Sequence, residues 1–148
     1  MYKTILVAID ISESNTEIIK KAVQFAKLNN ADLVIAHVNQ VTIADATFES
    51  GMSTVFTSDD ENLVNEMLNK FKSLAQQSGI KNVSTLIDSS TNVGYTITHD
   101  FYELEKYDLV VCGNSHRHGL EKLFLGSTAK SITKDAKSDV YIVKTKEI

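Results

Sequence analysis

The sequence predicts an α/β protein in which a doubly wound parallel sheet carries helices on both faces. Short apolar runs rich in β-branched residues alternate with amphipathic stretches along the 148 residues, and no linker or repeat divides them. Alternation of this kind builds parallel sheets with right-handed crossovers. A chain of this length normally forms one core. We therefore expect a single domain over residues 1–148 with five strands and four helices.

The expected strands are short apolar runs, the pattern of strands that are buried on both faces of a sheet. Asp32 and Asp108 stand immediately before two of these runs. Both aspartates therefore mark strand beginnings, far from any site at the carboxyl ends of the strands. The expected strands cover residues 5–9, 33–38, 83–87, 109–112 and 140–143.

The expected helices have apolar positions at three-to-four spacing, which places one apolar stripe against the sheet. The spacing of Ser14 and Glu17 matches a capping box at the start of the first helix, and Asn29 and Asn30 end it. Gly79 is expected to cap the second helix. The helices are predicted over residues 14–28, 64–75, 92–104 and 126–136. Residues 39–57 lack periodicity and are expected to form a long mobile loop, of a length typical of lids.

The acidic balance of the chain argues against nucleic acid as a partner. The formal net charge is -4 and the sequence pI is about 5.5. Binding through phosphate contacts needs a basic face. We therefore expect no nucleic-acid partner.

Cysteine usage and the amino terminus indicate a soluble cytoplasmic protein. Cys112 is the single cysteine and cannot form an internal disulfide. The first apolar run ends at the charged Asp10 and is too short for a signal-peptide core or a membrane span. We expect no membrane association. On a buried strand, Cys112 should behave as a small hydrophobic side chain rather than as a nucleophile.

The doubly wound architecture predicts where a ligand would bind. In such sheets the crevice lies beyond the carboxyl ends of the strands, where the strand order reverses. Three loops qualify, namely those that follow Ile9, Val38 and Cys112. Each begins at once with a polar residue or glycine, and these residues are Asp10, Asn39 and Gly113.

The segment 113–128 joins a strand to a helix and has the composition of an anion-binding loop. Glycine lets the backbone approach an anion closely. Ser127 and Thr128 would offer hydroxyls and N–H groups at the positive end of the last helix, and Arg117 and Lys122 could add charge. The glycine spacing matches neither a P-loop nor a dinucleotide fingerprint.

The same segment resembles the universal stress protein family. Members of that family that bind ATP have G-x-x-G, nine residues and then G-[ST] at this junction. Gly113, Gly126 and Ser127 match that spacing, whereas His116 stands at the second glycine. The opening segment 2–10, the tripeptide 36–38 and the closing segment 139–143 are similar to the family as well. The resemblance therefore runs along nearly the whole chain.

The resemblance implies a Rossmann-like sheet of strand order 3-2-1-4-5 and non-catalytic binding of ATP with magnesium in a stress-response role. It places Ala8 and Asp10 beside the nucleotide, Val38 against the adenine, and Asp10 next to the magnesium ion or the ribose. It also implies a homodimer through the last strand and an unknown protein partner reached through the 39–57 loop. The implied nucleotide-binding residues are Ala8, Ile9, Asp10, Val38, Cys112, Gly113, His116, Arg117, Gly126, Ser127 and Thr128.

The departure at His116 leaves a second function open. A branch of the family without the glycines does not bind ATP, and in that case the chain would be a nucleotide-free dimeric interaction protein. His116 would then block the phosphates, whereas a protonated His116 would donate to them. Asp10 could instead be only a helix cap, and Gly126 with Ser127 only an N-terminal cap pair.

The sequence gives little support to an enzyme. No G-x-S-x-G elbow is present, and no general base is placed to activate water, so a slow ATPase or self-phosphorylating enzyme ranks third. No catalytic residue is expected. His116 and His118 lie two apart in a loop without a third ligand, which is weak support for a metal site. His37, at a strand end, is expected to be packed or bonded to the backbone.

Overall fold

The computed structural model describes residues 1–11, 15–42, 61–114 and 125–145. Within these ranges, five strands form one all-parallel sheet of order β3-β2-β1-β4-β5. The predicted fold class and strand order are confirmed. The strands are β1 (Thr4–Ala8), β2 (Asp32–Gln40), β3 (Val83–Ser90), β4 (Leu109–Gly113) and β5 (Asp139–Val143).

The described residues contain four helices, which lie in pairs on the two faces of the sheet. Helix α1 (Asn15–Asn29) and helix α2 (Glu61–Gln77) pack on one face. Helix α3 covers residues 93–105, and helix α4 is Ser127–Asp135; both pack on the other face. Because both faces are covered, the buried middle stretches of the central strands are apolar, as at residues 5–7 of β1 and 33–36 of β2, which is why they read as continuous hydrophobic runs. Among the described residues, no helix is long and apolar enough to cross a bilayer.

Two helix ends follow the sequence prediction closely. Gly79 has φ +101°, and its N–H and that of Ile80 return to the carbonyls of Gln76 and Ala75. This pattern is a Schellman cap, for which glycine is the preferred residue. Asn30 closes α1 in the same way with φ 53°. The predicted capping box of α1 includes Ser14, which lies outside the described residues.

Strand β2 is longer than its apolar run indicates. Asn39 and Gln40 pair with Ser89 and Ser90 of β3, so the prediction that a loop begins at residue 39 is wrong for these two positions. Ladder hydrogen bonds join backbone groups and tolerate polar side chains, so the strands continue past their hydrophobic stretch. The part of the predicted loop at residues 43–57 lies outside the described residues.

The two aspartates that precede strands lie at the amino-terminal edge of the sheet, as predicted. The Asp108 carboxylate accepts hydrogen bonds from the backbone N–H groups of Lys3, at 2.8 and 3.1 Å, and of Thr4, at 3.1 Å. Asp32 accepts from the side-chain amide of Asn82 at 2.9 Å. These carboxylates hold strand entrances together and are remote from the carboxyl-terminal edge.

Helix α3 contains a π-helical turn that the sequence did not predict. Asn92 caps the helix by accepting from the Tyr95 N–H at 3.1 Å, and the segment Thr96–Asp100 then winds as a π-helix. The buried Tyr107 hydroxyl donates to the Ile97 carbonyl within that turn at 2.8 Å. A wider turn disturbs the regular i to i−4 ladder, and a side-chain donor can satisfy a carbonyl there.

We expect Tyr107→Phe to lower the free energy of unfolding by about 1–3 kcal/mol at pH 8, because the Ile97 carbonyl stays buried without this donor. Burial raises the pKa of Tyr107 from 10.0 to about 12. The unfolded chain therefore releases the phenol proton first, and this stabilising contribution is present below pH 10 and lost as the pH rises to about 12. Urea unfolding across that pH range should show that the difference in the free energy of unfolding between wild type and variant becomes smaller. A difference that does not change with pH would contradict this role of the Tyr107 hydroxyl.

Candidate functional site

The strand order reverses at the carboxyl ends of β1 and β4. The chain proceeds from β1 to β2 and β3 on one side, and β4 and β5 lie on the other. The described pairing of β1 with β4 reaches Val7 opposite Val111. Continuing that register places Ala8 beside Cys112 and Ile9 beside Gly113. Ligands of open α/β sheets bind in the crevice at such a point.

The predicted site residues at the strand ends divide between the two faces of the sheet. Ala8, Val38 and Cys112 belong to the face covered by α3 and α4, whereas Ile9 faces α1 and α2. Val38, Cys112 and Ile9 are buried, while Ala8 and Gly113 are half-buried. Burial raises the pKa of the Cys112 thiol to about 12. Cys112 therefore packs as a neutral hydrophobic side chain, as the sequence indicated.

Asp10 is exposed directly after the end of β1. Its backbone carbonyl accepts a hydrogen bond from the side-chain amide of Asn15, the first residue of α1. Asn15 is only 1% exposed, and within the described ranges its Oδ1 has no hydrogen-bond partner. The turn thus fastens the Asp10 backbone to α1 and leaves the Asp10 carboxylate at the surface.

His37 fixes the point at which β1 leaves the sheet. Ile9 donates its N–H to the Ala36 carbonyl at 2.9 Å. The His37 Nδ1 lies 2.7 Å from the Ile9 carbonyl, which can only accept, so Nδ1 carries a proton. The Nε2 of the same ring lies 3.0 Å from the Asn39 side chain. His37 is 2% exposed, so the prediction of a packed, backbone-bonded histidine is confirmed.

Gly113 lies against the Ile18 side chain of α1, which would have to shift if this position carried a Cβ. A Cβ at this position would lie 2.6 Å from the Ile18 Cδ1 of α1, closer than real contacts allow. The absence of a side chain therefore lets the start of α1 approach the end of β4.

The amino terminus of α4 is fastened to the end of β4. The Gly126 N–H donates to the Asn114 carbonyl at 3.2 Å, and Gly126 is the extended N-cap residue of the helix. Ser127 is exposed and Thr128 is half-buried in the first turn. The first N–H groups of a helix have no intrahelical partner and carry the positive end of the helix dipole. The arrangement can bind an anion beside Gly113.

The structure therefore brings the described members of the predicted site to the carboxyl-terminal edge of the sheet. His116 and Arg117 are outside the described residues. Within the described ranges, no group of three or more His, Cys, Asp or Glu side chains is arranged to hold a metal ion. A groove of about 270 Å³, lined in part by Lys81 and Ser84, lies at the opposite, amino-terminal edge of the sheet.

Sequence reasoning placed Asn39 at this edge as a loop residue, but it missed the buried hydrogen bonds that Asn39, Asn15 and Asn114 make there. Asn15, Asn39 and Asn114 are buried and hydrogen-bonded at the ends of β1, β2 and β4. Their position in the sequence is the feature that could have revealed them, since each asparagine stands within six residues after an apolar run. Such residues are more often turn formers than buried donors and acceptors.

We expect His37→Leu to lower the free energy of unfolding by about 1–3 kcal/mol, since it removes a buried donor from the Ile9 carbonyl and a partner from Asn39. The double variant His37→Leu with Asn39→Leu should cost less than the sum of the two single changes, because each single change already removes the same contact between the two side chains. Urea unfolding of the four proteins measures this coupling. Additive effects would show that the contact between the two side chains contributes nothing.

The fold defines a class, namely the doubly wound α/β proteins, and in this chain the strand order reverses between β1 and β4. The model of the universal stress protein family matches residues 1–144. The chain therefore belongs to the universal stress protein family.

Proteins similar to this chain carry the same family name. A Staphylococcus saprophyticus universal stress protein is 30% identical over 149 residues, covering 99% of this chain and 86% of the relative. The structure of UspA from Lactobacillus plantarum has a TM-score of 0.75 at 18% identity and covers 96% of this chain and 97% of its own. A universal stress protein from Archaeoglobus fulgidus, solved in complex with dAMP, has a TM-score of 0.66 at 18% identity, with coverages of 97% and 98%.

Proposed function

We propose that this protein binds ATP with magnesium at the carboxyl-terminal edge of β1 and β4 and does not turn it over. The observation that carries the proposal is the hydrogen bond between Gly126 and Asn114, which holds the positive end of α4 at the end of β4, next to Gly113. A helix amino terminus next to a glycine suits a phosphate. Similar universal stress protein structures solved in complex with cAMP and with dAMP support adenine nucleotide as the ligand class.

The proposed residue roles follow the family motif and the geometry of the edge. Ala8, Ile9 and Cys112 form the floor of the crevice, and Val38 lies toward the adenine. Gly113, Gly126, Ser127 and Thr128 surround the ribose and phosphates, together with His116 and Arg117. The exposed Asp10 carboxylate contacts magnesium, whose other ligands come from phosphate oxygens and water, as is usual for this ion.

We further propose a regulatory, non-catalytic role for a single cytoplasmic domain over residues 1–148 that forms a homodimer through β5 and signals occupancy to a protein partner. Strand β5 has one neighbour in the sheet of described residues. Its Tyr141 is partly exposed and packs edge-on against Phe25 of α1, with ring centroids 4.8 Å apart. An open strand edge with aromatic and aliphatic side chains favours pairing with a second copy.

The nucleotide-free alternative rests on one observation, the histidine at position 116 where ATP-binding relatives have glycine. A side chain there could occupy the phosphate position, and the protein would then act only as a dimeric interaction module. His116→Gly separates the two functions. The change would create binding in a nucleotide-free protein and alter existing affinity only modestly in a nucleotide binder.

Calorimetric titration of the purified protein with ATP, with and without magnesium, tests the proposal. We expect Ser127→Ala to weaken binding about tenfold or more, because a hydrogen bond to a charged phosphate is lost. Asp10→Asn should reduce mainly the magnesium-dependent part of the affinity. Ser84→Ala, an exposed serine at the opposite edge, is the matched control and should bind as the wild type does.

The protein should also release adenine nucleotide on denaturation after purification without added ligand, as identified by mass and chromatography. If no nucleotide is released and ATP at millimolar concentration gives no heat of binding, the nucleotide-binding function is overturned. The nucleotide-free interaction module then remains.

A further inference from the structure

Asn114 joins three parts of the chain that are distant in sequence. It directly follows β4, its N–H donates to the Val143 carbonyl of β5 at 3.2 Å, and its own carbonyl accepts from Gly126 at 3.2 Å. Its side chain points to the segment after β5. Because Asn114 is only 8% exposed, water replaces these partners poorly. One residue therefore links the end of β4, the end of β5 and the start of α4.

Thr145 donates two hydrogen bonds to the Asn114 side chain. The Thr145 N–H lies 3.2 Å and its hydroxyl 2.9 Å from the Asn114 Oδ1. The Thr145 methyl group lies on the Gly113 side, 3.9 Å from the position that a Cβ of Gly113 would occupy. Thr145 thus lies near Gly113, one residue beyond the segment that matches the family model.

We propose that Thr145 is a positioning residue for the amino terminus of α4, which it orients through Asn114. With the N–H and the Oδ1 of Asn114 both held by the β5 strand and the residues after it, the direction of the Asn114 carbonyl is fixed. That carbonyl receives the Gly126 N–H and so sets where the first turn of α4 begins. The effect on nucleotide affinity rests on the proposed function, whereas the effect on the turn does not.

Two substitutions at position 145 separate the hydroxyl from the rest of the side chain. Thr145→Val keeps the shape and the methyl group beside Gly113 and removes the hydroxyl donor. Thr145→Ser keeps the hydroxyl and removes that methyl group. If the hydroxyl positions Asn114, Thr145→Val should weaken binding of magnesium-ATP about three- to tenfold, and Thr145→Ser should stay within about twofold of the wild type. Calorimetry measures both.

Amide hydrogen exchange provides a readout that needs no nucleotide. In Thr145→Val the Gly126 amide should exchange faster than in the wild type, while the amide of Ile35 in the buried centre of β2 should be unchanged. Thr145→Ser should restore slow exchange at Gly126. Equal acceleration at Gly126 and Ile35 would indicate a general loss of stability and overturn the proposal, as would unchanged exchange at Gly126.

The two readouts distinguish failure of this inference from failure of the proposed function. If wild-type protein binds ATP and Thr145→Val binds equally well, the positioning role is wrong and the nucleotide site stands. If wild-type protein does not bind ATP, the proposed function is wrong, and the exchange of Gly126 alone decides whether Thr145 orients α4.

Discussion

The pairing of β1 with both β2 and β4 is the constraint on which the rest of the molecule depends. As the middle strand of five, β1 must be apolar on both faces, and the helices must cover both. After β1 the chain adds β2 and β3 on one side of this strand, and it then crosses over to add β4 and β5 on the other side. That reversal creates an edge where two loops diverge and a ligand can enter. Packing of the core and the location of the crevice are thus consequences of a single topology.

The carboxyl-terminal edge is held by buried polar contacts rather than by further hydrophobic packing. His37 binds the Ile9 carbonyl, and Asn114 receives donors from Thr145 and from Gly126. Buried polar groups are costly unless they are paired, and when paired they specify one geometry. A nucleotide site needs fixed backbone directions at such an edge. The amino-terminal edge uses aspartates on strand entrances, so the two ends of the sheet are built differently.

The sequence predicted the elements whose cause is hydrophobic periodicity. Topology and glycine spacing point to a site at the carboxyl-terminal edge, and that site stays a prediction. It did not predict that β2 continues through Asn39 and Gln40, because backbone ladders are indifferent to polar side chains. The contact between Asn114 and Thr145 joins residues 31 apart, and such pairs leave no periodic signal in one sequence. The π-helical turn around Ile97 likewise has no signature in residue type, since its cause is tertiary.

The most direct test of the central claim is a magnesium-ATP titration of isotope-labelled protein followed by amide chemical shifts. The account predicts that the amides of Ala8, Gly113, Gly126 and Thr128 shift together and saturate at one ligand concentration. The amides of Lys81 and Ser84, at the opposite edge of the sheet, should stay constant. Shifts confined to that opposite edge, or no saturable shift at the β1–β4 reversal, would contradict the account.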